Sequence, residues 1–346
     1  MFYKIHLFFD FTSKNQKKSK KFTPFYVFTL AKLQKTLMLF EKYLEPATSG
    51  IKNMSNYIIR RLKNDEQQMI LPLLGVCFPD YWEQIAVKSG KMPFEEISFA
   101  AFDGNKAIAH CGIIPYEIKC GNNIFKMAGI ASVATLPEYR KQGLAAKLCR
   151  TAAQWAENNN FTSLPLYTAF PKVYEVNNWQ VLSVQPALKI VSGKKTAAIS
   201  WCKGGELSDA EKNNIIRLYE SSPGFNGKVI RQNSGTLHSW DRIFNEPDFR
   251  FAAVPKMYAI KVDNTVIELN FDNSNTSLAD RKRLFYQLGA ENIHLPETPI
   301  FQELFSGVEF EISNIDITHG EKVMIRDIDA KFHKQNRIFF PIADKF

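Results

Sequence analysis

The chain predicts an α/β fold: a mixed, largely antiparallel sheet flanked by helices, followed by a second α/β region. Three observations predict it. Ile124 to Thr135 is a largely apolar run with β-branched residues that stops at Leu136-Pro137, the pattern of a buried strand ended by proline. Leu144, Leu148, Ala152 and Trp155 recur at helical spacing through Asn158 with no internal glycine or proline. Asp103-Gly104, between the strand-like runs Ile97 to Phe102 and Lys106 to Glu117, is a strong hairpin signal. At 346 residues and 45% hydrophobic composition, the chain exceeds one typical domain and can fill real cores.

The elements follow in order. Tyr57 to Leu62 reads as a first strand. Asn64 to Phe78 and Tyr81 to Lys88 read as helices, with Asn64 as cap and Pro72 as a kink or restart. The hairpin strands come next, and a second turn at Gly121-Asn-Asn123 leads into the long strand before the helix of residues 144–158. A strand at Ser163 to Ala169, a short helix and a strand ending near Val191 complete a first domain of residues 54–192. Residues 193–346 form a second one, opening at Gly204-Gly205. It carries helices at Ser208 to Ser221 and Thr236 to Phe244, then strands Met257 to Val262 and Thr265 to Phe271 meeting at Asp263-Asn264. A helix over Ser277 to Leu288, a segment at Asn292 to Leu295, a short helix near Phe301 and strands around Glu309 and Val323 to Ile328 finish it.

Charge separates the chain into unlike parts. Residues 1–53 hold ten lysines against Asp10, Glu41 and Glu45, which is +7 of the chain's net +9. The remainder is nearly neutral, so a basic nucleic-acid face on the folded body is not supported, and no nucleic-acid partner is expected. An amphipathic helix is plausible over Pro24 to Leu44, before the linker Pro46-Ala-Thr-Ser-Gly50 and Met54. Three readings of residues 1–53 stand: translation beginning at Met54, a membrane-surface or partner-binding helix, and an ordinary helix packed on the body. No apolar run reaches transmembrane length, and the N-terminus lacks the order of a signal peptide, so cytoplasmic residence is the default expectation.

Cys77, Cys111, Cys120, Cys149 and Cys202 are odd in number and show no C-x-x-C spacing; they read as small core residues rather than a disulfide or zinc framework. The six histidines show no metal-ligand spacing, and no metal is implied.

The chemistry lies between Ser132 and Arg150. An apolar strand, a short loop with Arg140, Gly143 and Ala145, and an amphipathic helix build an anion cradle. The N–H groups from Gln142 to Ala146 are the orphan donors of a helix start, and the helix dipole adds partial positive charge there. Gly143 and Ala145 keep side chains out of the ligand's way.

Arg140-Lys-Gln-Gly143-Leu-Ala145 resembles the Arg/Gln-x-x-Gly-x-Gly/Ala signature of the GCN5-related N-acetyltransferases (GNAT superfamily), which bind acetyl-coenzyme A (acetyl-CoA) at this loop. Tyr174-Glu-Val-Asn-Asn178-Trp179 is similar to the family's Tyr-x-x-x-Gly-Phe segment, with Asn178 for glycine and Trp179 for phenylalanine. Asparagine tolerates the left-handed turn that the glycine serves.

The resemblance implies a GNAT acyl-CoA N-acyltransferase fold over residues 54–192 and, from the matching layout of the second region, a degenerate GNAT-like copy. In that copy Ser277-Leu-Ala-Asp-Arg-Lys stands where the loop would be, and the arrangement looks like the tandem enhanced intracellular survival type. It further implies that acetyl-CoA, as co-substrate, lies between the strands ending at Thr135 and starting at Ser163. Main chain of Ser132, Val133, Ala134 and Thr135 would hold its pantetheine arm, and Arg140, Lys141, Gln142, Gly143, Leu144, Ala145 and Ala146 its phosphates. Tyr174 matches the tyrosine that protonates the departing thiolate. Many relatives use a carboxylate on the strand before the loop as base, yet Lys126 to Thr135 has none. Glu96 and Glu117 at strand ends are candidates, as is the carboxylate of Phe346, because the tandem relatives use a C-terminal one.

The implied activity is transfer of an acetyl group to a primary amine, in a small molecule or a protein lysine or N-terminus. A non-catalytic acyl-CoA-binding regulatory module and a longer-chain acyltransferase are the alternatives. Tyr81, Trp82, Phe94 and Tyr116 line an amine pocket or belong to the core. Oligomeric state is not written in the sequence.

Overall fold

The computed structural model describes residues 57–79, 83–191, 198–316, 318–329 and 332–345. The basic segment 1–53 with its expected helix, Tyr81, Trp82 and Phe346 lie outside the described residues.

In the first of two sheets, β1 (Ile58–Arg61), β2 (Ile97–Asp103), β3 (Lys106–Cys120) and β4 (Asn123–Thr135) run antiparallel in chain order. Both predicted turns form hairpins, with Gly104 and Gly121 in the left-handed conformation. Between β1 and β2 a 3-10 segment, Asn64–Ile70, runs into helix α1 (Leu71–Cys77), where Pro72 occupies the first turn and its missing N–H costs nothing. The expected cap at Asn64 moves by one residue. Lys63 is the extended cap position, and the Glu66 carboxylate accepts from its N–H at 2.8 Å. Helix α2 (Glu83–Ser89) follows.

Helix α3 (Leu144–Asn158) crosses from β4 to β5 (Ser163–Thr168), which lies parallel to β4. Its predicted stripe, Leu144, Leu148 and Ala152, is buried in the core with Cys149, Ala153 and Ala156. Each buried leucine contributes about 1.5–3 kcal/mol. Trp155 sits at the edge of that core, 6.1 Å from the Phe99 ring. The short helix α4 (Lys172–Glu175) and strand β6 (Gln180–Val181) come next.

The strand expected to close this sheet does not do so. β7 (Leu188–Ile190) pairs antiparallel with β12 (Asn292–Ile293) and β13 (Phe310–Ile312) in the second sheet. The place beside β5 is taken by β14 (Lys322–Asp327), which matches β5 along its full length and carries β6 on its other side. A six-residue partner satisfies more of the open edge of β5 than two-residue β6 can. β8 (Lys228–Val229) adds to β3. β7, from before the expected boundary at residue 192, and β8 and β14, from after it, are therefore exchanged across that boundary.

The second sheet has the order β13, β7, β12, β11 (Thr265–Phe271), β10 (Met257–Val262), β9 (Phe249–Val254). β9 was not expected. Its alternation of buried Phe249 and Phe251 about half-buried Arg250 is the signal that marks it. Helix α5 (Asp209–Ser221) starts behind its Ser208 cap. α6 (Trp240–Asn245) starts four residues later than expected, because Ser239 caps it. α7 (Leu278–Gln287) crosses from β11 to parallel β12, repeating the order of hairpin, crossover helix and parallel strand seen in the first sheet. α8 (Pro299–Leu304) and α9 (Phe332–Asn336) complete the helices among the described residues.

All five cysteines are free; Cys111, Cys120 and Cys149 are buried, and Cys77 and Cys202 half-buried. Among the described residues no helix is long and apolar enough to cross a membrane.

Candidate active site

β4 and β5 touch at a single register pair, Met127 with Ser163. Beyond it, among the described residues, 128–135 have no strand partner on the β5 side, and the two strands part. The loop 136–143 leads directly from this end of β4 to α3. The loop turns through Pro137–Tyr139, passes Lys141 (φ 61°) and reaches Gly143 (φ 74°), which is the N-cap of α3. Gly143 has no side chain to cap with, so among the described residues no side-chain cap spends the first-turn N–H groups of α3. A Cβ at Gly143 would meet open space; the left-handed backbone is what calls for glycine.

Arg140 Nε donates to the Thr135 carbonyl at 3.0 Å, and Tyr57 O–H donates to Gln142 Oε1 at 3.2 Å. Lys106 pairs with Glu138 at 3.0 Å, and Tyr139 O–H donates to Asp103 Oδ2 at 2.8 Å. The last two bonds tie the loop to the β2–β3 hairpin. Arg140, Lys141 and Gly143 are exposed, and Gln142, Ala145 and Ala146 half-exposed, while Leu144 is buried and anchors the helix.

Within the wedge, β4 carries a bulge. The register with β3 slips between His110–Ala134 and Gly112–Ala131, and Ser132 takes a left-handed φ of 50°. A serine in that conformation is strained, and the surroundings hold it. His110 Nδ1 donates to the Ser132 carbonyl at 2.8 Å, and Ser132 Oγ donates to Glu83 Oε1 at 3.1 Å. Behind His110, Glu96 Oε1 lies 3.1 Å from Nε2, off the hydrogen-bond direction, and accepts from Ser98 Oγ at 2.7 Å. Glu83, Glu96, His110 and Ser132 are all buried. Burial raises the Glu83 carboxyl to about 7; hydrogen bonds from its own N–H and from Ser132 oppose the shift, Glu96 adds to it and His110 subtracts.

Tyr174, on α4, is buried beside the same core, 6.2 Å from the Trp179 ring. Burial, with the Cys149 and Cys111 thiols nearby, holds its phenol well above the ordinary value, so it stays protonated and can donate. The segment turns at Asn178 in the left-handed conformation (φ 68°) that the sequence assigns it, and Trp179 Nε1 donates to the Leu164 carbonyl at 2.8 Å.

The Arg140–Thr135 bond joins the loop to the end of β4, and Tyr174 belongs to the same buried cluster as Ala134, Leu136 and Leu144. Glu96 lies behind the bulge. Glu117 pairs across from Lys126, below the point where β4 and β5 part, and Tyr116 is nearby, its ring 4.2 Å from His238. Sequence reasoning missed Glu83 and His110. A lone carboxylate at a helix start and a lone histidine on an apolar strand gave no spacing signal.

The chain nearest Phe346 is pinned. Arg231 Nη2 and Nε donate to Asp344 at 2.8 and 3.0 Å, and Arg242 donates to the carbonyls of Ala343 and Lys345 at 3.0 Å each. In the second sheet the helix start is closed. Ser277 Oγ caps α7 by accepting from Asp280 N–H at 3.1 Å, so a side chain spends the donors that α3 leaves free.

Residues 58–182 match the family model of an acetyltransferase (GNAT) domain. The chain is similar in fold to a GCN5-related N-acetyltransferase from Kribbella flavida, with a TM-score of 0.52 and 17% identity over 81% of this chain and 73% of that one. It is similar to Eis1 from Mycobacterium abscessus, with a TM-score of 0.54 and 13% identity over 81% and 76%. A probable N-acyltransferase from Enterococcus faecalis V583 gives 0.53 and 13% over 82% and 75%. Identities this low carry the fold alone, and the coverage extends well past residue 182. No curated protein matches the chain.

Proposed function

We propose that the chain transfers an acetyl group from acetyl-CoA to a primary amine, a reading that the match of residues 58–182 to the model of an acetyltransferase (GNAT) domain supports. The observation that carries this reading is the uncapped start of α3 at Gly143, opening onto a wedge whose β4 wall is bulged at Ser132.

The residues fit the co-substrate. Free N–H groups from Gln142 to Ala146, the helix dipole and the charges of Arg140 and Lys141 suit a diphosphate. Main chain at Ser132 to Thr135, lacking a strand partner on the β5 side, suits the amides of a pantetheine arm. Bound there, acetyl-CoA supplies an activated acyl group whose transfer to an amine is already downhill.

The protein's part is positioning and electrostatics. The wedge orients the two reactants, which removes much of the barrier. An N–H of Val133 or Ala134 stabilises charge that develops on the acyl oxygen. Tyr174 donates its proton to the leaving sulfur. A phenol of ordinary pKa about 10 can protonate a thiolate of about 8.5 only at contact distance, and burial sharpens that demand. Residues 193–346 serve as a second region that supports the first, since β14 completes its sheet.

Calorimetry with CoA and a thiol-release assay with acetyl-CoA and an amine panel test this reading. Binding and amine-dependent release support it. Binding without release would mark a regulatory module, and copurification of a longer acyl-CoA would mark a longer-chain enzyme.

A further inference from the structure

We propose that Glu83 is the base of this acyl transfer and that it receives the acceptor as a primary ammonium; the assignment rests on the acetyltransferase reading above.

Glu83 opens α2 and is only 3% exposed, yet it reaches the bulge of β4 through its 3.1 Å bond from Ser132 Oγ. That contact puts a carboxylate within one residue of the main chain assigned to the acyl group. Its second oxygen, Oε2, is buried and has no hydrogen-bond partner among the described residues. A buried, half-satisfied carboxylate is costly unless a donor arrives. An ammonium brings both the missing donor and the compensating charge.

The groups facing Glu83 fix its task. Ser132 comes from β4, His110 from β3 and Glu96 from the residue before β2. Burial, with the nearby Glu96 carboxylate adding to it, brings Glu83 to about 7, the range in which a base is both available and strong enough. Glu96 also has an oxygen without a partner among the described residues, but the His110 ring separates it from Ser132, and it is packed so tightly that a Cβ on Gly112 would fall 2.4 Å from its carboxyl carbon. Glu96 therefore positions His110 and the bulge, and Glu83 faces the reaction.

The step balances. Glu83 carboxylate takes one proton from R–NH3+, leaving R–NH2. The nitrogen lone pair forms the N–C bond, and the C–S bond breaks with its electron pair on sulfur. Tyr174 gives its proton to that sulfur and regains one from the nitrogen, and Glu83 returns its proton to solvent. The products are the acetamide, CoA thiol and one released proton.

The test uses the full chain with acetyl-CoA and three probes, n-butylamine, tyramine and an Nα-acetylated lysine amide, with free thiol measured from pH 5.5 to 9.5. For the wild type, kcat/KM should rise about tenfold per pH unit and level near pH 7. Glu83→Gln should lower it at least 100-fold, and its profile should climb toward the amine's own pKa, with the Kd for CoA within twofold of wild type. Glu83→Asp, which keeps a carboxylate, should retain the break in the profile at about a tenfold lower rate. Glu83→Gln that keeps the break, or stays within threefold of wild type, overturns the assignment. So does Glu83→Asp without a break. Wild-type protein that binds CoA but releases no thiol with any probe overturns the assignment and leaves the carrier site standing. If it neither binds nor releases, both readings fall.

Discussion

Asn177 Nδ2 donates to the Ala146 carbonyl at 2.8 Å, while its Oδ1 accepts from Arg150 Nε at 3.3 Å. One buried side chain thus latches the turn that carries Tyr174 onto the first turns of α3. The proposed acid and the proposed phosphate cradle are held in register by it. Asn177→Ala should cost about 1 kcal/mol of stability. It should lower kcat about tenfold with a smaller change in CoA affinity, because the acid drifts while the cradle's N–H groups remain. Thiol release and CoA calorimetry on the same preparation check this.

At Gly143 the backbone conformation and the ligand make separate demands. Gly143→Ala meets no neighbour, so its cost is the left-handed strain alone, about 1–2 kcal/mol. Gly143→Asp carries the same strain and also sets a negative charge at the cradle. Both variants should melt at similar temperatures, while Gly143→Asp alone should weaken CoA binding by 100-fold or more. Thermal melts paired with calorimetry separate the two effects.

Glu83 gives stability a pH dependence of defined sign. Its carboxyl sits at about 7 in the folded protein against an ordinary 4.5, so the folded state holds the proton more tightly than the unfolded chain does. Stability is fully present below about 4.5, falls as pH rises toward 7 and then stays reduced. Glu83→Gln should remove that loss and stabilise the protein at pH 8 by on the order of 1–3 kcal/mol, with little gain at pH 5. Denaturant melts at the two pH values measure the difference. A variant that gains stability as it loses turnover is the behaviour of a group kept for chemistry.

Arg231 stands between Glu268 and Asp344, fully buried, with its Nη1 and Nη2 donating to Glu268 at 2.9 and 2.5 Å. Burial alone would raise the Asp344 carboxyl, but Arg231 and His238 together outweigh it and hold Asp344 well below the ordinary carboxylate range. The contribution is present above about pH 4 and is lost as pH falls through the depressed value. Asp344→Asn should destabilise by on the order of 3 kcal/mol. It should also loosen residues 342–345 first, seen as early exchange of their amides. Deleting the last three residues removes this anchor together with Phe346, so the loss of Asp344 must be measured separately before any effect is credited to the terminal carboxylate.

Much of this was legible along the chain. Proline after an apolar run ended β4, helical spacing marked α3, glycines placed both hairpin turns, and Asn178 took the left-handed turn assigned to it. The cradle was readable for the same reason: its chemistry lies in consecutive main-chain N–H groups, and local sequence decides where a helix starts and whether a side chain caps it.

What local pattern could not supply is which distant segment fills an open edge or faces a strand. β14 rather than β7 lies beside β5, and Glu83 meets Ser132 across 49 positions of chain. Period and propensity describe a strand's faces and say nothing of its neighbour. Partners are chosen when the whole set of edges, buried charges and bulges is satisfied together, and the carboxylate at the β4 bulge is a product of that choice.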